Sequence, residues 1–460
     1  MRYLIHLFHD GPLLKGNPNE SLLIAAGSWL AVISFSWMQK ENITWAFQSQ
    51  FFVACLFPML AFQCMALSAS TSRSRLWFGM ALLCGLISVG TLASGLLALP
   101  LIVLMTIVLR QPKPRIILAA VVTLCSISQY PKGAIGVCGS PINNLLLHAA
   151  EAWQFFLIYL GGPFRVISND FLVGEIAGAV FLVGFAHCAL LWFQKKERNP
   201  MFLGFVIFLS YVIATALATT SGRIIFGIGS VAQTVDQLIP TAGSLNRYLT
   251  FPLLGWAVLS ILIGYYYREH RNFPGAALVI SFLFPLLLLP SQLDSIRGDA
   301  SVIKHQRLIA ALALDLGVND KETIRAIYPD NRIYVTANEA NRRHLSVFGL
   351  PTFRNARGYL KQEANTLPLH QCQGHIDAIV PLNGQDGVSR MRGWAFDEIP
   401  GRVPQEVFLV DENDKVVGVG FTGAARTDVA QAVNRKAGLS GFDGYVFGGV
   451  NNVRLLCTSI

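Results

Sequence analysis

Long uncharged apolar runs recur through the first 290 residues of the chain. The longest, 76–109, covers 34 residues without one charged side chain. Roughly 20 apolar helical residues cross the hydrocarbon core of a bilayer, so these runs predict membrane-spanning helices. We expect about nine of them, near 21–38, 51–70, 76–94, 95–109, 116–129, 171–193, 201–219, 249–267 and 275–289.

The connections between the apolar runs fix a predicted orientation. With nine crossings, four cationic clusters fall on one face, and cationic loops stay cytoplasmic; they are Arg73 and Arg75; Arg110, Lys113 and Arg115; Lys195, Lys196 and Arg198; Arg268 and Arg271. The N-terminus is then inside and the tail outside. The apolar stretch 151–166 is read as a re-entrant or outer-leaflet helix, and the alternative is a full crossing that replaces another assigned span.

The pattern changes after residue 290. Helical periodicity at 303–316, 322–327 and 337–347 predicts a small helical connector. Short β-rich segments follow from residue 374, with a hairpin turn at 411–414, and they predict a β-sandwich. The expected domains are an N-terminal segment (1–20), an all-α polytopic membrane bundle (21–290), the connector (291–370) and the sandwich (371–460).

Composition agrees with lipid as the main solvent of the chain. Hydrophobic residues make up 53% and charged residues 14%, and the net charge of +9 lies mainly in short connections, which indicates topology and not nucleic-acid binding. The sandwich holds two of the 8 cysteines, Cys372 and Cys457, at its first and last strands. A disulfide between them can staple the domain on an oxidising side. No metal-ligand spacing or cofactor motif is present, so no metal or bound cofactor is expected.

Two arginines lie on the predicted outer face, against the rule that cationic residues stay cytoplasmic. Arg223 and Arg247 flank one loop between two spans, where a planar guanidinium suits a lipid-linked phosphate. A headgroup contact, or an ion pair with Asp236, is the alternative.

Aromatic and amide side chains indicate possible sugar contacts. Trp45, Gln48 and Gln50 place a ring beside amide donors, and the alternative is an interfacial belt. Trp394 and Tyr445 are aromatic residues of the predicted sandwich that either bind glycan or pack in its core.

Several short segments resemble a bacterial family of multi-span membrane proteins similar to GT-C glycosyltransferases. The segments are 41–51 (ENITWAFQSQF), 94–98 (SGLLA), 160–164 (LGGPF), and Arg223 followed by 246–248 (NRY), with Asn246 where the family has Ser. The tail segments 393–395 (GWA), 426–429 (RTDV) and 441–442 (GF) are similar to an accessory β-domain of such proteins.

The resemblance implies transfer of a sugar from a polyprenyl-phosphate donor to an envelope glycan, in the bacterial inner membrane with the tail periplasmic. It assigns the donor phosphate to Arg223, Arg247 and Tyr248. The family's acidic N-terminal loop has no counterpart, since 17–20 (NPNE) does not match it. We therefore expect an N-terminally truncated or degenerate member whose general base is unassigned; the acids to consider are Glu41, Asp170, Glu175 and Asp236.

Two other functions remain open at this point. The main alternative is a non-catalytic membrane protein that binds glycan or lipid-linked glycan. A transporter ranks last, because the two halves show no evident repeat and charges within the spans are nearly absent.

Overall fold

The computed structural model divides the chain into two compact units, Met1–Leu293 and Asp294–Ile460. It describes residues 35–45, 48–129, 149–194, 199–228, 247–271, 286, 288–290, 292–293, 295, 298, 300–325, 327–328, 332–448 and 452–458, with backbone only at 223–228 and 267–271.

The first unit is helical throughout its described residues. Its helices are α1 (Lys40–Thr44), α2 (Ser49–Ser70), α3 (Ser74–Val89), α4 (Ala98–Val108), α5 (Lys113–Gln129), α6 (Ala149–Leu160), α7 (Gly162–Ser168), α8 (Phe171–Gln194), α9 (Pro200–Ile228) and α10 (Thr250–Arg271). A short 3₁₀ helix, Trp37–Gln39, precedes α1, and another, Ala93–Leu97, precedes α4.

The prediction of about nine transmembrane helices is wrong. Among the described residues, three helices are long and apolar enough to cross a membrane: Ser49–Ser70, Phe171–Gln194 and Pro200–Gly222. The uncharged run 76–109 is broken by the 3₁₀ helix Ala93–Leu97 into helices of 16 and 11 residues. At roughly 1.5 Å per residue, each is shorter than a hydrocarbon core of about 30 Å. The predicted runs 21–38 and 275–289 lie largely outside the described residues.

Aromatic and small residues form the core of the first unit. The Tyr211 hydroxyl of α9 donates to the Ala54 carbonyl oxygen of α2 at 2.8 Å, and the Tyr211 ring lies 6.3 Å from that of Phe62. Helices α6 and α8 approach so closely that a Cβ atom at Gly178 would collide with the Leu157 carbonyl group. Here the missing side chain lets two helix backbones touch.

The second unit contains one antiparallel sheet, five α-helices and three short 3₁₀ helices among its described residues. The helices are α11 (Ala300–Asp315), α12 (Lys321–Arg325), α13 (Arg332–Arg342), α14 (Pro351–Tyr359) and α15 (Thr427–Ala432). The strands are β1 (Leu369–Gln371), β2 (Gln373–Pro381), β3 (Val388–Phe396), β4 (Glu406–Val410), β5 (Val416–Ala424), β6 (Gly441–Phe447) and β7 (Arg454–Thr458).

The predicted β-sandwich is also wrong, because all seven strands belong to one sheet with the order β1-β7-β4-β5-β6-β3-β2. The edge strands β1 and β2 are separated in sequence by Cys372 alone, so the sheet curls until its two edges meet there. Cys372 forms a disulfide with Cys457 of β7, the pairing that the sequence indicated. The disulfide therefore links the junction of β1 and β2 to β7, the strand paired with β1.

The helices of the predicted connector belong to the same compact unit as the sheet. Ile309 and Leu312 of α11 and Phe353 of α14 share one buried cluster with Phe408 and Phe421 of the sheet. The Phe353 and Phe421 rings lie edge to face at 5.2 Å. Helices and sheet thus form a common core.

Candidate functional site

A buried polar cluster joins the start of the helical unit to the beginning of α10. The Asn42 Nδ2 atom donates to the Arg247 backbone oxygen at 2.7 Å and to the Thr250 hydroxyl at 2.9 Å. That hydroxyl donates in turn to the Gln39 Oε1 atom at 2.6 Å. Each bond joins positions more than 200 residues apart, so the segment 39–45 is held against 247–250.

The same arrangement places a carboxylate near a predicted phosphate-binding arginine. Glu41 is half-buried, and burial raises its pKa while attraction to Arg247 and to Lys40 lowers it in part. A carboxylate with a raised pKa is a better proton acceptor near neutral pH. The other acids considered from sequence have different roles: the Asp170 carboxylate caps α8 at Leu172 N, the Glu175 carboxylate accepts from Gln154, and Asp236 lies outside the described residues.

A small cleft opens beside this cluster. Tyr248 lines it, and its ring packs 5.5 Å from that of Phe51 and 6.1 Å from that of Tyr159. The cleft has room for about one water molecule. The seven residues that line it are Ile158, Tyr159, Gly162, Arg165, Tyr248, Leu249 and Pro252.

Arg165 is the cation of this cleft, and the sequence analysis assigned it no binding role. Its guanidinium carbon lies 4.9 Å above the centroid of the Phe171 ring. Its place directly after the Gly161-Gly162-Pro163 break in the helix was the available signal. Arg165 and Tyr248 both line the cleft.

The structure places some of the residues predicted to bind phosphate or sugar at the candidate site and others away from it. Arg247 and Tyr248 lie in the polar cluster and at the cleft, whereas the side chain of Arg223 lies outside the described residues. Gln48 is buried, and its Oε1 atom has no hydrogen-bond partner among the described residues. Trp45 and Gln50 are half-buried and do not line the cleft. A role in sugar binding for these three residues stays a prediction.

The aromatic residues singled out in the second unit serve packing. Tyr445 is fully buried, and its hydroxyl donates to the Asp320 carboxylate at 2.8 Å. Trp394 packs against a small cluster that contains Phe396 and Val429. Tyr445 therefore has no free ring for a sugar, whereas Trp394 is half-buried and a role for it in glycan binding stays a prediction.

Buried charges in the second unit are also used to hold elements together. Asp320, which precedes α12, accepts from Arg390 of β3 at 2.6 and 2.7 Å. His305 of α11 lies 2.8 Å from the Asp443 carboxylate of β6 and 3.2 Å from the Thr422 carbonyl oxygen. Within the described residues no group of three His, Cys, Asp or Glu side chains is placed to hold a metal ion.

Comparisons with protein-family models, curated proteins and solved structures found no match to this chain. The functional argument therefore depends on the chain's own geometry.

Proposed function

We propose that this chain is an integral membrane protein that transfers a sugar from a polyprenyl-phosphate donor to an envelope glycan. One observation carries the proposal. Three stretches far apart in sequence, residues 41–45 with 48–51, residues 160–165 and residues 247–252, meet around one polar cluster and one cleft. The first two and the Arg247–Tyr248 pair are segments on which the resemblance to GT-C glycosyltransferases depends.

The residues brought together suit the two demands of such a reaction. The oxygen of the acceptor hydroxyl attacks the anomeric carbon, and the bond from that carbon to the phosphate oxygen breaks, leaving its electron pair on the phosphate. Arg247 would stabilise the phosphate charge that develops. Glu41, whose pKa is raised by burial, would accept the hydroxyl proton. Of the four acids considered, Glu41 is the one for which attraction to Arg247 is recorded among the described residues.

The proposed location is the bacterial inner membrane, with the second unit on the extracytoplasmic side. The three long apolar helices support a membrane location. The disulfide between Cys372 and Cys457 supports an oxidising compartment for the second unit, because thiols stay reduced in the cytosol.

A transfer assay tests the proposal. The purified full chain, in lipid nanodiscs with a radiolabelled polyprenyl-phosphate sugar and an envelope glycan, is expected to move label into the glycan. Arg247→Ala should reduce the rate by about 100-fold or more, while Arg115→Ala, which removes a cation elsewhere in the same unit, should not. Absence of transfer with every donor tried would overturn the proposal, and tight donor binding without turnover would favour a non-catalytic binding protein.

A further inference from the structure

Arg165 carries a charge that the described part of the chain does not neutralise. Its side chain is half-buried at the cleft, and its guanidinium stacks on Phe171. Among the described residues no carboxylate and no other acceptor forms an ion pair or hydrogen bond with this guanidinium. Ring stacking satisfies the flat face of the group but leaves its in-plane N–H donors unused.

Arg115 of α5 is a matched comparison within the same unit. Its guanidinium also lies over a ring, that of Phe78, at 5.3 Å. Its Nη1 atom, however, donates to the Ser74 hydroxyl and to the Gln111 Oε1 atom, each at 2.7 Å. Arg115 thus has both a ring and polar partners, whereas Arg165 has the ring alone among the described residues.

A half-buried guanidinium without polar partners is destabilising unless an anion lies beside it. Burial lowers the pKa of Arg165, although the group stays charged at neutral pH. A partly desolvated cation is stabilised when an anion approaches, and a phosphate matches the fork of guanidinium donors.

The cleft also limits what can approach. Ile158, Leu249 and Pro252 are apolar residues of its lining, and Tyr248 also lines it. There is room for about one water molecule, which suits part of a phosphoryl group and excludes a whole sugar ring.

We infer that Arg165 binds the phosphate group of a phosphorylated ligand in this cleft, with Tyr248 beside it. The inference deepens the proposed function and takes from it the idea of a phosphorylated donor. Arg165 then acts as a second cation next to the Arg247–Tyr248 segment. The phosphate belongs either to a lipid-linked molecule or to a water-soluble one, and the shared chemistry is that of a phosphomonoester or phosphodiester oxygen.

A binding experiment on the full chain tests this inference. The chain is reconstituted in nanodiscs of neutral phosphatidylcholine, and the dissociation constants of two probes are measured: a short-chain polyprenyl phosphate and inorganic pyrophosphate. Arg165→Gln should weaken at least one of them by about tenfold or more, because it removes a charge-assisted contact. Arg165→Lys should bind with intermediate affinity, since an ammonium lacks the fork, and Arg115→Gln should bind like the wild-type protein.

The arms of the experiment separate the possible sources of the phosphate. If Arg165→Gln loses affinity for the polyprenyl phosphate alone, the site binds a lipid-linked phosphate. If it loses affinity for pyrophosphate alone, the site binds a soluble phosphate. Wild-type affinity of Arg165→Gln for both probes, or no binding of either probe to the wild-type chain, would overturn the inference. Arg165→Lys keeps the positive charge and serves if Arg165→Gln does not fold.

Failure of this inference is distinguishable from failure of the proposed function. Phosphate binding that depends on Arg165 without any sugar transfer would contradict the transferase proposal alone. Sugar transfer by Arg165→Gln with an unchanged KM for the donor, together with wild-type affinity for both phosphate probes, would contradict the role of Arg165 alone.

Discussion

The side-chain amide of Asn42 donates a 2.7 Å hydrogen bond to the backbone carbonyl oxygen of Arg247, across 205 positions of sequence. Both ends of the contact lie in segments for which the sequence suggested a role in substrate binding. Asn42 is 3% exposed, so water does not compete for this bond. The contact fixes the backbone at Arg247 and hence the place from which its guanidinium extends.

Replacing Asn42 should therefore affect stability and activity together. Asn42→Ala removes two hydrogen bonds and leaves buried acceptors unpaired, which should lower stability by about 1–3 kcal/mol. Thermal unfolding in detergent measures the change, and Ser128→Ala, at an exposed hydroxyl that bonds only locally, is the control. An unfolding temperature equal to that of the wild-type protein would show that the bond is not formed.

Close packing of α6 on α8 predicts a contrast between two glycines. Gly178→Ala should destabilise the helical unit because the new Cβ atom collides with the Leu157 carbonyl group. Gly79→Ala adds a Cβ atom with nothing within 4 Å in the helix α3. It should stabilise the unit by up to about 1 kcal/mol through helix propensity. Equal unfolding temperatures for the two variants would contradict the packing of α6 and α8.

Glu406 should make the second unit more stable at mildly acidic pH. Its side chain is 3% exposed, and burial raises its pKa to about 7, against a partly compensating hydrogen bond with Thr352. In the unfolded chain the pKa is near 4.5. The folded state thus prefers the protonated acid, and its contribution to stability is complete below pH 4.5 and is lost as pH rises through about 7.

Urea unfolding of the full chain at pH 6 and pH 8 measures this effect. Glu406→Gln should be more stable than the wild-type protein at pH 8 by about 1–3 kcal/mol, since it removes a buried unpaired charge. This difference in unfolding free energy between Glu406→Gln and the wild-type protein should be smaller at pH 6. Glu398→Gln, at an exposed position of the same unit, should show no such gap. A gap of the same size at both pH values would contradict the raised pKa of Glu406.

The disulfide between Cys372 and Cys457 should stabilise the curled sheet. It links positions 85 residues apart, and loss of such a bond costs about 2–5 kcal/mol in small extracytoplasmic domains. Reductant should therefore lower the unfolding temperature of the second unit in the wild-type protein. The double variant Cys372→Ser, Cys457→Ser should unfold at that lower temperature with or without reductant. No effect of reductant on the wild-type protein would contradict the presence of the bond.

Local patterns in the sequence predicted elements better than they predicted arrangement. The apolar run 171–193 matches the helix Phe171–Gln194, and the β-rich segments predicted after residue 374 include the strand Glu406–Val410. The number of crossings was wrong because apolar content does not fix the length of a helix: the predicted spans 76–94 and 95–109 correspond to helices of 16 and 11 residues, too short to cross. The sandwich was wrong because alternation identifies strands but not their partners, and the pairing of Leu369 with Thr458 is non-local.

The candidate site was only partly predictable for the same reason. Arg247 stood out because cations are unusual on the predicted outer face, and Tyr248 was added by the family resemblance. Asn42 and Arg165 gain their roles from contacts made after folding, with the Arg247 backbone and with the wall of the cleft. No spacing in the sequence records those contacts.

A double-mutant cycle between Glu41 and Arg247 tests most directly whether these distant segments form one catalytic site. Sugar transfer is measured for Glu41→Gln, Arg247→Gln and the double variant in the same nanodisc assay. Each single change is expected to reduce the rate by about 100-fold, because it removes the proton acceptor or the phosphate contact. Groups that act as a unit lose activity non-additively, so the double variant should stay within about threefold of the weaker single variant. Fully multiplicative losses, or wild-type turnover in either single variant, would contradict the account.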